Sequence, residues 1–103
     1  MANKYGAKRT TVDGIKFHSK GEAGRYSTLK ILERGGGISC LELQPKYPIV
    51  INGVRVCNVI LDFRYIQDDR LVVEDFKGVD TAMSRLKRKM VKAMYDIDVI
   101  IVK

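Results

Sequence analysis

The sequence predicts a single mixed α/β domain, and three observations support this prediction. Two stretches carry apolar residues at helical spacing. Between and after them lie β-prone runs that are separated by turns containing glycine, asparagine or proline. The predicted order is helix, three strands, helix, strand, so we expect the second helix to cross over to the last strand. At 103 residues the chain is long enough for one hydrophobic core and too short for two.

The first part of the chain, residues 1–18, is predicted to be a basic arm and a short hairpin ahead of one domain at residues 19–103. Asp13-Gly14 lies between two short β-prone runs, which is the pattern of a tight hairpin turn. The cationic side chains of the arm are Lys4, Lys8 and Arg9. We expect them to contact a negatively charged partner.

The first helix is predicted at residues 19–34. Ser19 followed three residues later by Glu22 is a capping-box pattern, and the glycines at 35–37 end the element. The apolar residues at helical spacing are Tyr26, Leu29 and Leu32.

The central part of the sequence predicts three strands. "ISCLELQPKYPIVI", residues 38–51, is typical of a strand that is interrupted by its two prolines. Asn52-Gly53 is a second hairpin turn. A long strand is then predicted at 54–66, and its partner in a hairpin is predicted at 71–76.

A second helix is predicted after Gly78, with Asp80 as its cap and its end near Tyr95. Its expected apolar stripe consists of Met83, Leu86, Met90, Ala93 and Met94. Its basic residues are Arg85, Lys87, Arg88, Lys89 and Lys92. "IDVIIVK" then closes the chain and is predicted to be a buried strand.

The net charge of +7 is unevenly distributed along the chain. Residues 1–34 carry eight Lys/Arg against three Asp/Glu, residues 35–80 carry five against seven, and residues 81–103 carry six against two. Basic segments on both sides of an acidic middle favour a polyanion such as DNA, although ordinary solvated basic faces would give the same pattern. No membrane span and no secretory signal are predicted, and two cysteines without metal or disulfide spacing favour the cytoplasm.

The register of the predicted hairpin decides how its acidic residues are placed. A two-residue or a four-residue loop gives the same pairing, and in that register Asp62 lies directly opposite Asp75. Directly opposed residues have their Cβ atoms about 5 Å apart, and two like charges at that distance are destabilising. Either one carboxylate is protonated, or both lie at an exposed strand end, or a cation lies between them.

The residues next to this pair favour the cation. Side chains alternate across a sheet, so Lys77 shares a face with Asp75, whereas Glu74 points to the other face and is expected to tolerate replacement by alanine. Two carboxylates at this separation can ligate Mg²⁺, and a neighbouring lysine can position water and stabilise charge on a phosphate. This pattern predicts a hydrolytic phosphodiesterase site. The alternative is a solvated strand end with a local ion pair, which leaves the facing acids unexplained.

Four further residues are candidates for supporting roles. Glu22 is either a third metal ligand or only the capping partner of Ser19, and the sequence leaves both open. Gln44 is expected near the site, and Lys87 is the basic helix residue most suited to face inward. His18 has no second histidine beside it, which favours a surface position over a catalytic one.

These residues resemble a known superfamily. "LDFRY" followed by "VVEDFKG" is similar to the PD-(D/E)XK nucleases, with Asp62 as the first acid and Asp75-Phe76-Lys77 as the (D/E)XK, although Leu61 stands where the motif has proline. The α-β-β-β-α-β order resembles the restriction-endonuclease-like core of that superfamily. "KYGAKRTTVDGIKFHSKGEAGRY" and "LELQPKY" also resemble a family of short phage and prophage proteins of the same superfamily.

The resemblance implies a Mg²⁺-dependent DNA endonuclease of phage type, with Mn²⁺ able to substitute. It implies that Asp62, Asp75 and the Phe76 carbonyl ligate the metal, that Glu22 completes or orients the ligand shell, and that Gln44 and Lys87 assist Lys77. It further implies that the arm and the basic second helix hold DNA phosphates. Branched DNA is one implied substrate, as for Holliday junction resolvases in recombination, and that version implies a homodimer. A non-catalytic module that binds DNA or a phage replication or recombination protein is the alternative.

Overall fold

The protein is a mixed α/β structure in which two helices pack on β-sheets. A computed structural model of the chain describes residues 9–103, so the arm residues Lys4 and Lys8 lie outside the described part. Its elements are β1 (Thr10–Val12), β2 (Ile15–Phe17), α1 (Lys20–Arg34), β3 (Ser39–Leu43), β4 (Lys46–Ile51), β5 (Val54–Ile60), β6 (Phe63–Gln67), β7 (Arg70–Phe76), α2 (Ala82–Tyr95) and β8 (Ile100–Val102).

A four-stranded sheet of mixed direction forms the centre of the structure, in the order β3-β6-β7-β8. The pairs β3–β6 and β6–β7 are antiparallel, whereas β8 runs parallel to β7 after the crossover through α2. β1–β2 and β4–β5 are separate hairpins. The central sheet and the helices therefore follow the predicted order of helix, three strands, helix, strand, with the hairpin β4–β5 inserted between the first two strands.

The hairpin turns set the register of the strands. Asp13-Gly14, Asn52-Gly53 and Asp68-Asp69 all have positive φ angles of 50–78°, which matches two-residue turns with left-handed central residues. Gln67 pairs with Arg70 across the last of these turns. The predicted β6–β7 register is therefore confirmed.

Two of the predicted strands were wrong, because each of them divides between two sheets. The predicted strand 54–66 is β5 and β6, and the predicted strand 38–51 is β3 and β4. The breaks lie side by side: the Leu61 N–H donates to the Pro45 carbonyl at 3.0 Å, and the Gln44 N–H donates to the Asp62 carbonyl at 3.0 Å. The chain therefore leaves and re-enters the central sheet at one place.

Helix α1 covers one face of the central sheet. The Ser19 hydroxyl accepts the Glu22 N–H at 3.1 Å, which confirms the predicted N-cap. Below the helix lies a cluster that also takes in the first hairpin; its buried members are Phe17, Ala23, Tyr26, Leu29, Ile38, Phe63 and Tyr65.

Helix α2 covers the other face together with the β4–β5 hairpin, and two details of its prediction were wrong. Thr81, not Asp80, caps the helix, because the Asp80 carboxylate is bound by Arg88. Most of the predicted apolar stripe is exposed, including Met83 at 59%. The helix instead turns Val91 into a cluster whose other buried members are Tyr47, Ile49, Val59, Leu61 and Val73.

The last strand, β8, lies at the edge of the central sheet, and Ile100 is half-exposed, so the prediction of a buried strand was also wrong. No helix within residues 9–103 is long and apolar enough to span a membrane.

Candidate active site

Asp62 and Asp75 face each other where β6 begins and β7 ends. The Asp62 N–H donates to the Glu74 carbonyl at 3.3 Å, and its side-chain Oδ2 accepts the Phe76 N–H at 2.7 Å. These two bonds lie just beyond the last strand pair, Phe63 with Glu74, and hold the Asp62 carboxyl beside Asp75, which is 4% exposed. The two carboxyl groups are close enough to share a hydrogen bond.

This proximity changes the protonation of the pair. Burial raises the pKa of Asp62 to about 8, and the hydrogen bond and negative charge of Asp75 add to the shift, whereas the Phe76 N–H opposes it. A pKa above neutrality keeps the Asp62 carboxyl mostly protonated at pH 7. A divalent cation with oxygen ligands could replace that proton and relieve the same repulsion.

Lys77 lies on the same face as Asp75, as predicted. Its Nζ is 3.0 Å from Oδ2 of Asp75, and the backbone N–H of Lys77 donates to the Val102 carbonyl of β8 at 2.9 Å. The parallel edge strand therefore fixes the point from which the lysine reaches the carboxylates.

Glu22 approaches the same end of β7 from helix α1. Burial raises the pKa of Glu22 and the charge of Asp75 adds to this, whereas His18 and Lys77 lower it, so the carboxyl senses both residues of the predicted motif. The close approach depends on Gly21, where a Cβ would lie 2.3 Å from Cζ of the Phe76 ring. The start of α1 thus rests directly on the residue between Asp75 and Lys77.

Glu74 is the residue whose role the sequence did not reveal. It points away from Asp75 as predicted, but Arg25 binds it through two hydrogen bonds of 2.7 and 2.6 Å, and the Tyr65 hydroxyl donates to it at 2.5 Å. Its side chain is 2% exposed. The expectation that alanine would be tolerated here rested only on Glu74 pointing away from Asp75 and took no account of these buried contacts. Glu74 pairs with Phe63 and Tyr65 with Val72, so the register places Tyr65 and Glu74 as diagonal neighbours on one face of the sheet. The contact with Arg25 depends instead on helix packing that no local pattern specifies.

A cavity of about 150 Å³ opens beside the carboxylates, between β5, β7 and α2. Asp75, Lys77, Ser84 and Lys87 line its polar side. Lys87, the residue predicted to face inward, has an exposed side chain that lines this cavity.

The family model described as "Protein of unknown function (DUF1064)" matches residues 2–102. The chain belongs to the DUF1064 family. No curated protein and no solved structure matches the chain. Because the DUF1064 description names no activity, a functional conclusion has to be argued from the geometry of the site.

The remaining predicted residues of this DUF1064 chain lie around the site or farther along α2. Gln44 touches the site through its backbone, whose N–H donates to Asp62, while its side chain is exposed. His18 is a surface residue, with Nδ1 4.0 Å from Glu22. The exposed residues among the predicted DNA contacts are Arg9, Arg85, Lys87, Lys89 and Lys92. Arg88 is half-buried and bound by Asp80.

The fit of this DUF1064 site to a divalent cation rests on two carboxylates. Within residues 9–103 no three Asp, Glu, His or Cys side chains form a ligand cluster. The pair itself offers hard oxygen ligands and carries a proton that a cation would displace, which suits Mg²⁺. Ligation by Glu22 and by the Phe76 carbonyl stays a prediction.

Proposed function

We propose that the chain is a Mg²⁺-dependent DNA endonuclease built on the PD-(D/E)XK core. The observation that carries the proposal is the facing of Asp62 and Asp75 with Lys77 3.0 Å from Asp75. Two buried carboxyl groups side by side at a strand end are unfavourable for the fold, and such an arrangement is typical of functional sites. The central order α1-β3-β6-β7-α2-β8 agrees with the core of that superfamily.

Each residue then has a distinct role. Asp62 and Asp75, with the Phe76 carbonyl, would hold Mg²⁺, which when bound supplies Lewis acidity and positive charge for a phosphodiester. Mn²⁺ is expected to substitute. Lys77 orients the attacking water and stabilises the charge that develops on the phosphate. Glu22 would complete or orient the ligand shell, and its raised pKa suits it to hold a proton.

The substrate is proposed to be DNA, held through its phosphates. Lys87 lines the cavity beside Lys77 and would contact a phosphate next to the one that is cleaved. The other basic residues of α2, together with the basic N-terminal segment, would contact the backbone farther away. A branched substrate would require two sites, so that version of the proposal includes a homodimer. The proposed partners are phage replication or recombination proteins in the cytoplasm.

The proposal is tested by incubating the protein with duplex, flap, single-stranded and four-way DNA, with and without Mg²⁺ or Mn²⁺. We expect metal-dependent cleavage of at least one substrate. Asp75→Asn and Lys77→Ala should abolish cleavage while DNA binding persists. Asp98→Asn is the matched control, because Asp98 is an exposed carboxylate at the far end of α2 and should leave cleavage unchanged. Intact DNA in every reaction would refute the enzyme.

A non-catalytic DNA-binding module on the same fold is the second candidate. One observation favours it: Asp62 is neutralised by a proton and Asp75 is paired with Lys77, so the site is electrically balanced without a metal. This module would bind DNA without cutting it. Its affinity should fall steeply with salt, because phosphate contacts release counterions. If the protein shows no affinity for DNA at low salt, both the endonuclease and the DNA-binding module are rejected.

A further inference from the structure

A partly buried ionic cluster lies on the α1 face of the sheet, behind the candidate site. We call Arg25, Tyr65 and Glu74 the Arg25 cluster. The Glu74 carboxylate accepts hydrogen bonds from Nε and Nη2 of Arg25 and from the Tyr65 hydroxyl. Burial and the bond to Glu74 raise the pKa of Tyr65 to about 12, so its hydroxyl stays a donor across the working pH range of most proteins.

The Arg25 cluster joins the two elements that carry the candidate site. Glu74 precedes Asp75 in β7, and Arg25 follows Glu22 by three residues in α1, so both lie on one side of the helix. The contact of Gly21 with the Phe76 ring fixes the helix start, and the Arg25–Glu74 pair fixes the next turn. Glu22 lies between these two points.

Stability alone does not account for the cluster. A buried ion pair is often no more stabilising than apolar side chains of similar volume, because both charges lose their water. A bidentate arginine–carboxylate pair differs from apolar packing in being directional, since two parallel hydrogen bonds fix distance and angle together. The pair is therefore suited to hold a helix in one position.

We propose that the Arg25 cluster is a positioning device that holds α1 so that the Glu22 carboxyl faces Asp75 and Lys77. Its three residues contact neither substrate nor metal and act only through Glu22. The inference rests on the proposed function for what the site binds. It goes beyond that function by assigning a role to residues on the opposite face of the sheet.

The test replaces the cluster with apolar side chains of similar volume, Arg25→Met, Tyr65→Phe and Glu74→Leu together. Because the packing is kept, we expect a melting temperature close to that of the wild type. Binding of Mn²⁺, followed by electron paramagnetic resonance, should weaken about 10-fold or more, which is the usual cost of losing the groups that orient a metal site. In cleavage, kcat should fall while KM for DNA stays constant.

A cycle with Glu22→Gln separates positioning from a general loss of fold. In the wild type this substitution should weaken Mn²⁺ binding, and in the triple variant it should have no further effect, because Glu22 is already displaced. Wild-type Mn²⁺ affinity in the triple variant, or an equal loss from Glu22→Gln in both backgrounds, would overturn the inference. If the triple variant does not fold, Tyr65→Phe alone replaces it. We expect this variant to bind Mn²⁺ more weakly than the wild type, with a smaller loss than in the triple variant. Wild-type Mn²⁺ affinity in Tyr65→Phe would contradict the inference.

Failure of the proposed function gives a different result. If Asp75→Asn binds Mn²⁺ as the wild type does, the carboxylate pair is not a metal site, and the inference is rejected together with the proposed function. If Asp75→Asn loses Mn²⁺ and the triple variant does not, only the positioning role is rejected. Lys30→Met, which breaks the partly exposed ion pair with Glu33 farther along α1, is the control and should leave Mn²⁺ binding unchanged.

Discussion

Replacing Glu74 by alanine should be among the most damaging single changes to this fold. Glu74 is fully enclosed, and its removal leaves Arg25 and the Tyr65 hydroxyl without their acceptor. Breaking a buried ion pair by removing one partner costs about 3–5 kcal/mol. The Arg25 side chain is 27% exposed, so it can recover part of its hydration and the cost falls toward the lower end of that range. The lost tyrosine bond adds about 1 kcal/mol.

We therefore expect the free energy of unfolding to fall by about 3–4 kcal/mol. This is a large share of the 5–15 kcal/mol by which domains are usually stable. Urea unfolding followed by far-UV circular dichroism measures it, with an unchanged slope against urea showing that the transition stays two-state.

The matched control is Glu42→Ala. Glu42 also binds an arginine, Arg64, but its side chain is 54% exposed, and exposed pairs contribute about 0–1 kcal/mol. The two variants remove the same side chain from two arginine pairs that differ mainly in burial. A loss below about 1 kcal/mol for Glu74→Ala, or equal losses for both variants, would refute the reasoning from burial.

Three further changes test other parts of the structure. Gly21→Ala should lower both stability and any cleavage activity, because its Cβ would collide with the Phe76 ring and push α1 away; thermal unfolding and cleavage assays measure this. Without metal, stability should fall as pH rises from about 4 to about 8, by up to about 1.4 kcal/mol per pH unit, because the folded protein holds the Asp62 proton that the unfolded chain releases; melting curves against pH should lose this slope in Asp62→Asn. Lys87→Ala should weaken DNA binding and reduce its salt dependence by about one ion, as measured by fluorescence anisotropy.

Each of these expectations has an opposite outcome. Wild-type stability in Gly21→Ala would mean that the helix and the ring separate without cost, and Gly24→Ala, where a Cβ meets nothing within 4 Å, is its control. An unchanged pH slope in Asp62→Asn would place that proton on another group. Equal salt dependence in Lys87→Ala and the wild type would remove Lys87 from the DNA interface.

The carboxylate pair could be predicted from the sequence because a short turn dictates its register. Two-residue turns leave little choice in how the flanking strands pair, and alternation then assigns Asp75 and Glu74 to opposite faces. The same logic could not show that β5 and β6 belong to different sheets, because the change of partner at Leu61 is made by a backbone bond to Pro45, which is distant in sequence. A local sequence pattern therefore predicts the pairing of strands joined by a short turn, but not the pairing of strands that are distant in sequence.

The orientation of α2 shows a second limit. Its methionines form a regular stripe, but the helix buries Val91 instead, with Met90 only at the edge of that cluster. A spacing rule identifies an apolar stripe without specifying which element covers it. Likewise, Arg25 has the appearance of an ordinary surface arginine until α1 is placed on the sheet.

The adjacent strand breaks at Pro45 and Leu61 determine where the chain can vary in length. Since the chain departs and returns at one hydrogen-bonded stem, the β4–β5 hairpin is a side branch whose exposed tip, Asn52-Gly53, is remote from the carboxylates. Residues added at that tip lengthen a closed loop, and the entropic cost of doubling a loop is only about 0.6 kcal/mol. The tip is thus a place where relatives can differ in length, or where a label can be inserted, without moving Asp62.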